Sequence, residues 1–273
     1  MAKIVFTDLD GTLLNNASEV SDYTRGFLKD FSLMGHKLVL SSGRSLKSII
    51  KVKNDNCLNF DGVYIAATNG TLVYDCANEE VIFENRLNMD DVTKIWQLAC
   101  DEKIHIQTYT DDELVVPSND RETEYYTIRC PLPVIVTDSP SKVMEKGPCK
   151  MLLIDLDDRN RLEVFRKKIE TLFPHLQTMF SNDYYVEIID RTAGKGASLT
   201  WLCNHLNIPV SDSYAFGDEQ NDISMIEAAG CGVVMSNANK ELFDFADKIT
   251  DFTNNSDGLA KFLQKELKIV PKS

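Results

Sequence analysis

Two aspartates, Asp8 and Asp10, close an apolar run near the start of the chain, in IVFTDLDGTLL. Residues two apart on an extended strand point the same way, so two like charges crowd one edge unless a cation or a reacting group stands between them. Three more clusters carry reactive side chains: SSGRS around Ser42, AGKGAS around Lys195 and FGDEQND around Asp218. Phosphoryl transfer asks for a nucleophile, for neutralisation of charge on the phosphoryl oxygens, and for a proton on the leaving oxygen. Asp8 can attack phosphorus, while Asp10 can protonate the departing alcohol and then activate water. Asp218 and Asp222 add hard oxygen donors of the kind Mg²⁺ prefers. The small Gly43 beside Ser42 lets backbone N–H groups approach a phosphate oxygen, and Lys195 sets a point charge at the opening of a helix, where the dipole also favours an anion.

Each cluster taken alone has a plainer explanation. Asp10-Gly11 makes an Asx turn, Asp222 caps the next helix, Ser42-Gly43 is a turn, and a lone lysine at a helix start usually faces solvent. Their convergence favours chemistry, because ligands of open α/β sheets bind beyond the carboxyl ends of the strands. The elements that must position them follow from hydrophobic periodicity. KIVFTD, HKLVLSS and GVYIAAT read as strands with a helix from about Ser21 to Met34 between the first two, which is β-α-β architecture with a parallel sheet. SYAFGD, CGVVMS and DKITD repeat the style near the end, separated by helices over NDISMIEAAG and NANKELFDFA and closed by a helix over DGLAKFLQKEL. Both ends therefore build one sheet.

The middle reads as an inserted α+β module. Helices over DDVTKIWQLACDE and RNRLEVFRKKIETLF alternate with the hairpins IHIQTYT/ELVVP and LQTMFS/YYVEIID, turned at Asp111-Asp112 and Asn182-Asp183. The expected organisation is a core of residues 1–84 and 191–273 and a second domain of residues 85–190. One stretch there imitates the first cluster: LIDLDDRN places Asp155 and Asp157 after an apolar run, but carries Asp158-Arg159 where the other has Gly11-Thr12. It reads as a strand leading into a helix N-terminus.

With 273 residues and 43% hydrophobic content, the chain can bury a sizeable core. Forty-two acidic against 29 basic residues leave a net charge of −13, which disfavours nucleic acid and anionic lipid as partners. Neither a membrane span nor a signal-peptide pattern is present, so the expected location is cytoplasmic. Seven cysteines without a Cys-x-x-Cys pair read as reduced thiols. The four histidines share no ligand spacing, and Trp96 and Trp201 fall on apolar helix faces.

The motifs Asp8-Leu-Asp10-Gly-Thr12-Leu-Leu and Gly217-Asp-Glu-Gln-Asn-Asp222, with Ser42 and Lys195 between them in that order, resemble the haloacid dehalogenase superfamily of phosphotransferases. An insertion between the Ser42 and Lys195 motifs is similar to the type IIB capped, Cof-like branch, which includes mannosyl-3-phosphoglycerate phosphatase. The resemblance extends over nearly the whole chain through ATNG at 67–70 and MSNANKEL from Met235. It implies a Rossmann-like core with an α+β cap and a Mg²⁺-dependent phosphatase acting on a small phosphorylated metabolite, with a sugar phosphate as the expected class. It further implies Asp8 as nucleophile and metal ligand, Asp10 as acid/base that also gives a main-chain carbonyl to the metal, and Asp218 as the second metal carboxylate. Ser42, Gly43, Lys195 and Asn221 would hold the phosphate; Asp222 would orient Lys195 or a metal water; Asn69 and Asn237 would line the same pocket. Tyr184, Tyr185 and Arg191 are candidates for substrate selection by the cap. A phosphomutase of the same superfamily, or a phosphate- and metal-sensing module without turnover, are the alternatives. The sequence leaves substrate and oligomeric state open.

Overall fold

The computed structural model describes residues 2–110 and 112–269. In chain order its main elements are β1 (Ile4–Thr7), α1 (Asp22–Leu33), β2 (Lys37–Ser41), α2 (Leu46–Asp55), β3 (Val63–Ala67), β4 (Leu72–Asp75) and β5 (Glu80–Glu84). Then follow α3 (Met89–Asp101), β6 (His105–Tyr109), β7 (Leu114–Val116), α4 (Arg121–Arg129), β8 (Val134–Val136), β9 (Met151–Ile154), α5 (Arg159–Leu172), β10 (Leu176–Asn182) and β11 (Tyr185–Asp190). The last are α6 (Lys195–His205), β12 (Ser213–Gly217), α7 (Ile223–Ala228), β13 (Cys231–Val234), β14 (Lys248–Ile249) and α8 (Gly258–Leu267). They divide into two compact units, Met1–Glu84 with Ala193–Ser273, and Asn85–Thr192.

The first unit is an eight-stranded sheet in the order β14-β13-β12-β1-β2-β3-β4-β5. The strands from β14 to β3 run parallel, whereas β4 and β5 return antiparallel. Alternation along buried strands feeds two cores, since successive side chains point to opposite faces. Val5, Leu38, Leu40, Val63 and Ile65 pack on one face against Phe27, Leu28 and Phe31 of α1 and Leu259 and Leu263 of α8. Ile4, Phe6, Val39 and Tyr64 pack on the other against Leu199 and Leu202 of α6 and Met225 of α7. From β1 the chain builds outward to β2 and β3 on one side, and later to β12 and β13 on the other. The ends of β1 and β12 therefore meet at a topological switch point, where open α/β sheets bind ligands.

The second unit is a six-stranded sheet, β10-β11-β9-β6-β7-β8. Ile106, Met151, Leu153, Val186 and Ile188 bury one face against Trp96 of α3 and Phe165 of α5, while Leu152, Ile154 and Tyr185 on the other meet Tyr125 and Tyr126 of α4. Among the described residues, no helix is long and apolar enough to cross a membrane.

The periodicity differs from the structure in three places. The helix expected over NANKELFDFA is a short 3₁₀ segment, Lys240–Phe245. The Asn237 side chain donates to the Gly11 carbonyl (2.8 Å) and accepts from the Asn254 N–H (2.9 Å), and the segment begins only after Asn239, whose side chain accepts from the Glu241 N–H (3.3 Å). The helix expected over NDISMIEAAG shrinks to the six residues of α7, preceded by a 3₁₀ turn at Gln220–Asp222. The hairpin between β10 and β11 turns at Asp183-Tyr184, one residue late, with Tyr184 N–H donating to the Asn182 side chain (2.8 Å). Asp111 of the other expected turn lies outside the described residues.

Candidate active site

At the carboxyl end of β1 the chain turns back on itself. Leu14 N–H donates to the Leu9 carbonyl (2.8 Å) and Leu13 N–H to the Asp8 carbonyl (3.3 Å), a helix-like turn that must reverse at Gly11, whose φ is +79°. Glycine adopts that conformation without steric cost. A β-carbon at Gly11 would also stand 2.1 Å from the Asp218 carboxylate, so any larger residue would evict it. The next residue, Thr12, donates its hydroxyl to Asp218 Oδ1 at 2.6 Å. The Gly-Thr of the first motif thus joins the end of β1 to the end of β12.

The centre of the site is Lys195, the first residue of α6. Its side chain is fully buried, and its Nζ donates to Asp8 Oδ1 and Asp222 Oδ1, both at 2.6 Å. Burial alone would lower the ammonium's pKa; Asp222 and then Asp8 more than reverse that, leaving it above the ordinary lysine range. Asp222 is committed on its other side as well, because Oδ2 accepts from the N–H groups of Asp218 (3.0 Å) and Glu219 (3.2 Å).

Asp8, Asp218 and Asp222 each bring a carboxylate oxygen within 4.8 Å of one another. Against these three negative charges stands one ammonium, an imbalance of two. Burial pushes the Asp8 carboxyl well up despite the pull of Lys195, with Asp222 adding to the rise. Asp218 is pushed up to about 6, mainly by burial and only partly offset by the Thr12 hydroxyl. Two buried carboxylates that resist carrying charge, beside a third already paired, are oxygen donors of the type a hard divalent cation takes.

Asp10 faces elsewhere. Its side chain is about half exposed, and Arg44 grips both carboxylate oxygens, Nε to Oδ2 at 2.9 Å and Nη2 to Oδ1 at 2.6 Å. The Asp10 carboxylate thus lies outside the acidic cluster. Sequence reasoning missed Arg44, two residues after Ser42 in SSGRS: the position of a single arginine does not name the carboxylate it grips, although its fork is what makes a bidentate pair. It also missed Thr12 as the link to Asp218.

Ser42, buried at the end of β2, accepts from the Arg44 N–H through its hydroxyl (3.3 Å). Gly43 leaves room for Asn69, whose Oδ1 would lie 3.2 Å from a β-carbon there. Asn221 donates to that same Asn69 oxygen (3.2 Å). Asn237 supports the Gly11 carbonyl as described. The structure therefore brings Asp8, Lys195, Asp218 and Asp222 into one cluster, and holds Asn221 and Gly43 to each other through Asn69. In the second unit, Tyr184 is exposed, Tyr185 is buried under α4, and Arg191 donates to the Leu176 carbonyl (3.1 Å).

A family model described as haloacid dehalogenase-like hydrolase matches residues 5–263. The Bacillus subtilis protein YxeH is 31% identical over 265 residues, covering 95% of this chain and 96% of that one. Phosphatase YwpJ, also of Bacillus subtilis, is 26% identical over 286 residues, covering 96% and 99%. Among solved structures, a haloacid dehalogenase-like hydrolase from Bacteroides thetaiotaomicron superposes with a TM-score of 0.83 at 28% identity, over 97% of this chain and all of that one. The subclass IIB sugar phosphatase BT4131 shares the fold, with a TM-score of 0.77 at 20% identity over 98% of this chain and all of that one.

Proposed function

The chain belongs to the haloacid dehalogenase-like hydrolases and is a phosphatase, and we propose that it uses Mg²⁺ to hydrolyse a small phosphorylated metabolite, a sugar phosphate by preference, through an aspartyl phosphate on Asp8. One observation carries this reading: a buried lysine shared by Asp8 and Asp222 beside Asp218, leaving two negative charges unbalanced at the sheet's switch point. Asp8, Asp218 and the main chain at Asp10 would hold the ion. When bound, it would neutralise the carboxylates and the phosphoryl oxygens together, so that an anionic nucleophile can approach an anionic substrate.

The remaining chemistry is assigned to the chain's own groups. A carboxylate oxygen of Asp8 attacks phosphorus, and the P–O bond to the alcohol breaks as Asp10 gives that oxygen a proton. Asp10, now ionised, takes a proton from water, whose oxygen attacks the phosphoryl group and releases inorganic phosphate and free Asp8. Lys195 keeps Asp8 aimed and offsets charge on the phosphoryl group, with Ser42, the Gly43 backbone and Asn221 as further donors. The bidentate Arg44 pair holds Asp10 as an unprotonated carboxylate, so Asp10 gives its proton to the leaving oxygen only after that pair opens and the carboxyl takes a proton from solvent or from the phosphate monoanion. Selectivity for the metabolite is assigned to the α+β unit.

The test is a panel of phosphorylated metabolites assayed for phosphate release with and without Mg²⁺. Mg²⁺-dependent release, fastest on sugar phosphates, is expected. Metal-independent turnover would overturn the cofactor assignment, and isomerised product without phosphate release would overturn hydrolysis.

A further inference from the structure

Between β3 and β4 the backbone passes through three successive residues with positive φ: Thr68 at +49°, Asn69 at +56° and Gly70 at +82°. Glycine is at ease there and asparagine tolerates it, but a β-branched threonine is not expected in the left-handed region. Ala67 pairs with Leu72, so residues 68–71 form a four-residue hairpin connection. Such loops are ordinarily built around a type I turn, whose central residues have negative φ. Strain of this kind persists only where the surroundings over-determine it, and it gathers at functional sites.

The surroundings here are the loops that carry the proposed phosphate donors. Thr68 N–H donates to the Arg44 carbonyl and Asn69 N–H to the Ser42 carbonyl, both at 2.9 Å, which ties the turn across the Ser42-Gly43-Arg44 loop. Asn69 is buried, and its side-chain oxygen accepts from Asn221 Nδ2 at 3.2 Å while lying against Gly43. At Gly70, a β-carbon would stand 2.5 Å from the carbonyl oxygen of Gly194, the residue before Lys195. Three consecutive residues thus touch the three loops bearing Ser42, Asn221 and Lys195, and a relaxed turn would not present its N–H groups and side chain this way.

We propose that the left-handed turn Thr68-Asn69-Gly70 is the positioning element of the phosphate pocket, with Asn69 the positioning residue that sets the Asn221 amide against the Ser42-Gly43 loop. The inference rests on the reading of this pocket as a phosphate site. Asn69→Gly tests it, because glycine keeps the left-handed backbone and removes only the carboxamide. In the Mg²⁺-loaded enzyme, Asn69→Gly should weaken competitive inhibition by inorganic phosphate about tenfold, the size of one net hydrogen bond to a charged ligand, with the thermal midpoint nearly unchanged. Asn221→Ala should weaken phosphate similarly, and the double variant should be no worse than Asn221→Ala alone, because the two side chains act as a unit. Thr68→Gly removes the β-branch that opposes the left-handed backbone together with the Thr68–Thr71 hydroxyl contact, so the turn is no longer held to one conformation. The variant should keep or raise the thermal midpoint while weakening phosphate several-fold, a split that a merely structural loop would not produce.

Wild-type phosphate affinity in Asn69→Gly and Thr68→Gly, or additive losses in the double variant, would overturn the proposal. If the wild-type protein neither binds inorganic phosphate nor releases it from any phosphomonoester, the phosphatase reading fails instead. The two failures are therefore distinct.

Discussion

The tripeptide Asp-Leu-Asp occurs twice at the end of a buried strand, at 8–10 after β1 and at 155–157 after β9. The two copies differ in where their partners come from. At the second, Asp155 Oδ1 accepts from the N–H groups of Asp157 (3.0 Å) and Asp158 (2.9 Å), Oδ2 takes Arg161 (2.9 Å), and Asp158 caps α5. Its carboxylate is satisfied within the next six residues. At the first, Asp8 takes its hydrogen bond from Lys195, 187 positions away, and Thr12 reaches Asp218 across 206. A motif satisfied locally is a turn; one that draws unbalanced charge from distant strands is a site.

The largest effect that tests this contrast is on turnover. Asp8→Asn replaces a nucleophile with an amide of the same shape, and kcat should fall by at least about 10³-fold while the circular dichroism spectrum stays unchanged. Asp155→Asn should leave kcat within about twofold. A large loss in the second variant, or near-normal turnover in the first, would mean that the wrong copy had been chosen.

Next in size is the response to metal. Asp218 is pushed up to about 6 by burial, so in the metal-free chain the stability linked to its protonated form is complete below the ordinary carboxylate range and is lost as pH rises through about 6. A divalent cation takes the proton's place. Mg²⁺ should therefore raise the thermal midpoint little near pH 5 and clearly near pH 7.5, where an ion at 100 times its Kd adds about 2.7 kcal/mol of stability. Asp218→Asn should abolish that increment and Asp155→Asn should keep it. An increment independent of pH, or one that survives Asp218→Asn, would contradict the assignment.

Asp155 should matter for stability instead. In Asp155→Asn the side-chain oxygen can still accept from the Asp157 and Asp158 N–H groups, but the new amide faces Arg161 donor to donor, at an expected cost of about 1–3 kcal/mol in chemical denaturation. A neutral result would mean that the local network contributes less than its geometry suggests.

How much of this was legible in the sequence follows the same division. The strands ending at Asp8, Ser42 and Asp218 were readable because each is a continuous apolar run broken by polar residues, and a strand buried on both faces has to look like that. Asp8, Lys195, Asp218 and Asp222 were readable as one set because each sits where an element begins or ends. The Arg44 grip on Asp10 and the Asn69–Asn221 contact were not, since side-chain pairing between loops leaves no period. At 240–245 helix periodicity was present although the segment is 3₁₀, and the contacts of Asn237 with Gly11 and Asn254 that fix the chain just before it are made only in the folded protein.

The smallest expected effect is also the most direct test of what makes a site. Asp158→Gly with Arg159→Thr rewrites residues 155–159 as Asp-Leu-Asp-Gly-Thr, the same five residues that begin at Asp8. Introduced into the Asp8→Asn background, the pair should restore no Mg²⁺-dependent phosphate release. At the first site Gly11 matters because Asp218 fills the space where its β-carbon would be, and Thr12 matters because its hydroxyl has Asp218 to bind. In the turn after β9, Asp155 is held instead by its own backbone and by Arg161. The rewrite should instead cost only a few tenths of a kcal/mol through loss of the Asp158 side-chain cap on α5, whose N–H groups at Asn160 and Arg161 it serves, because glycine is itself an acceptable cap residue. Rescue of turnover would show that the five residues suffice on their own, and that distant partners only tune what they do.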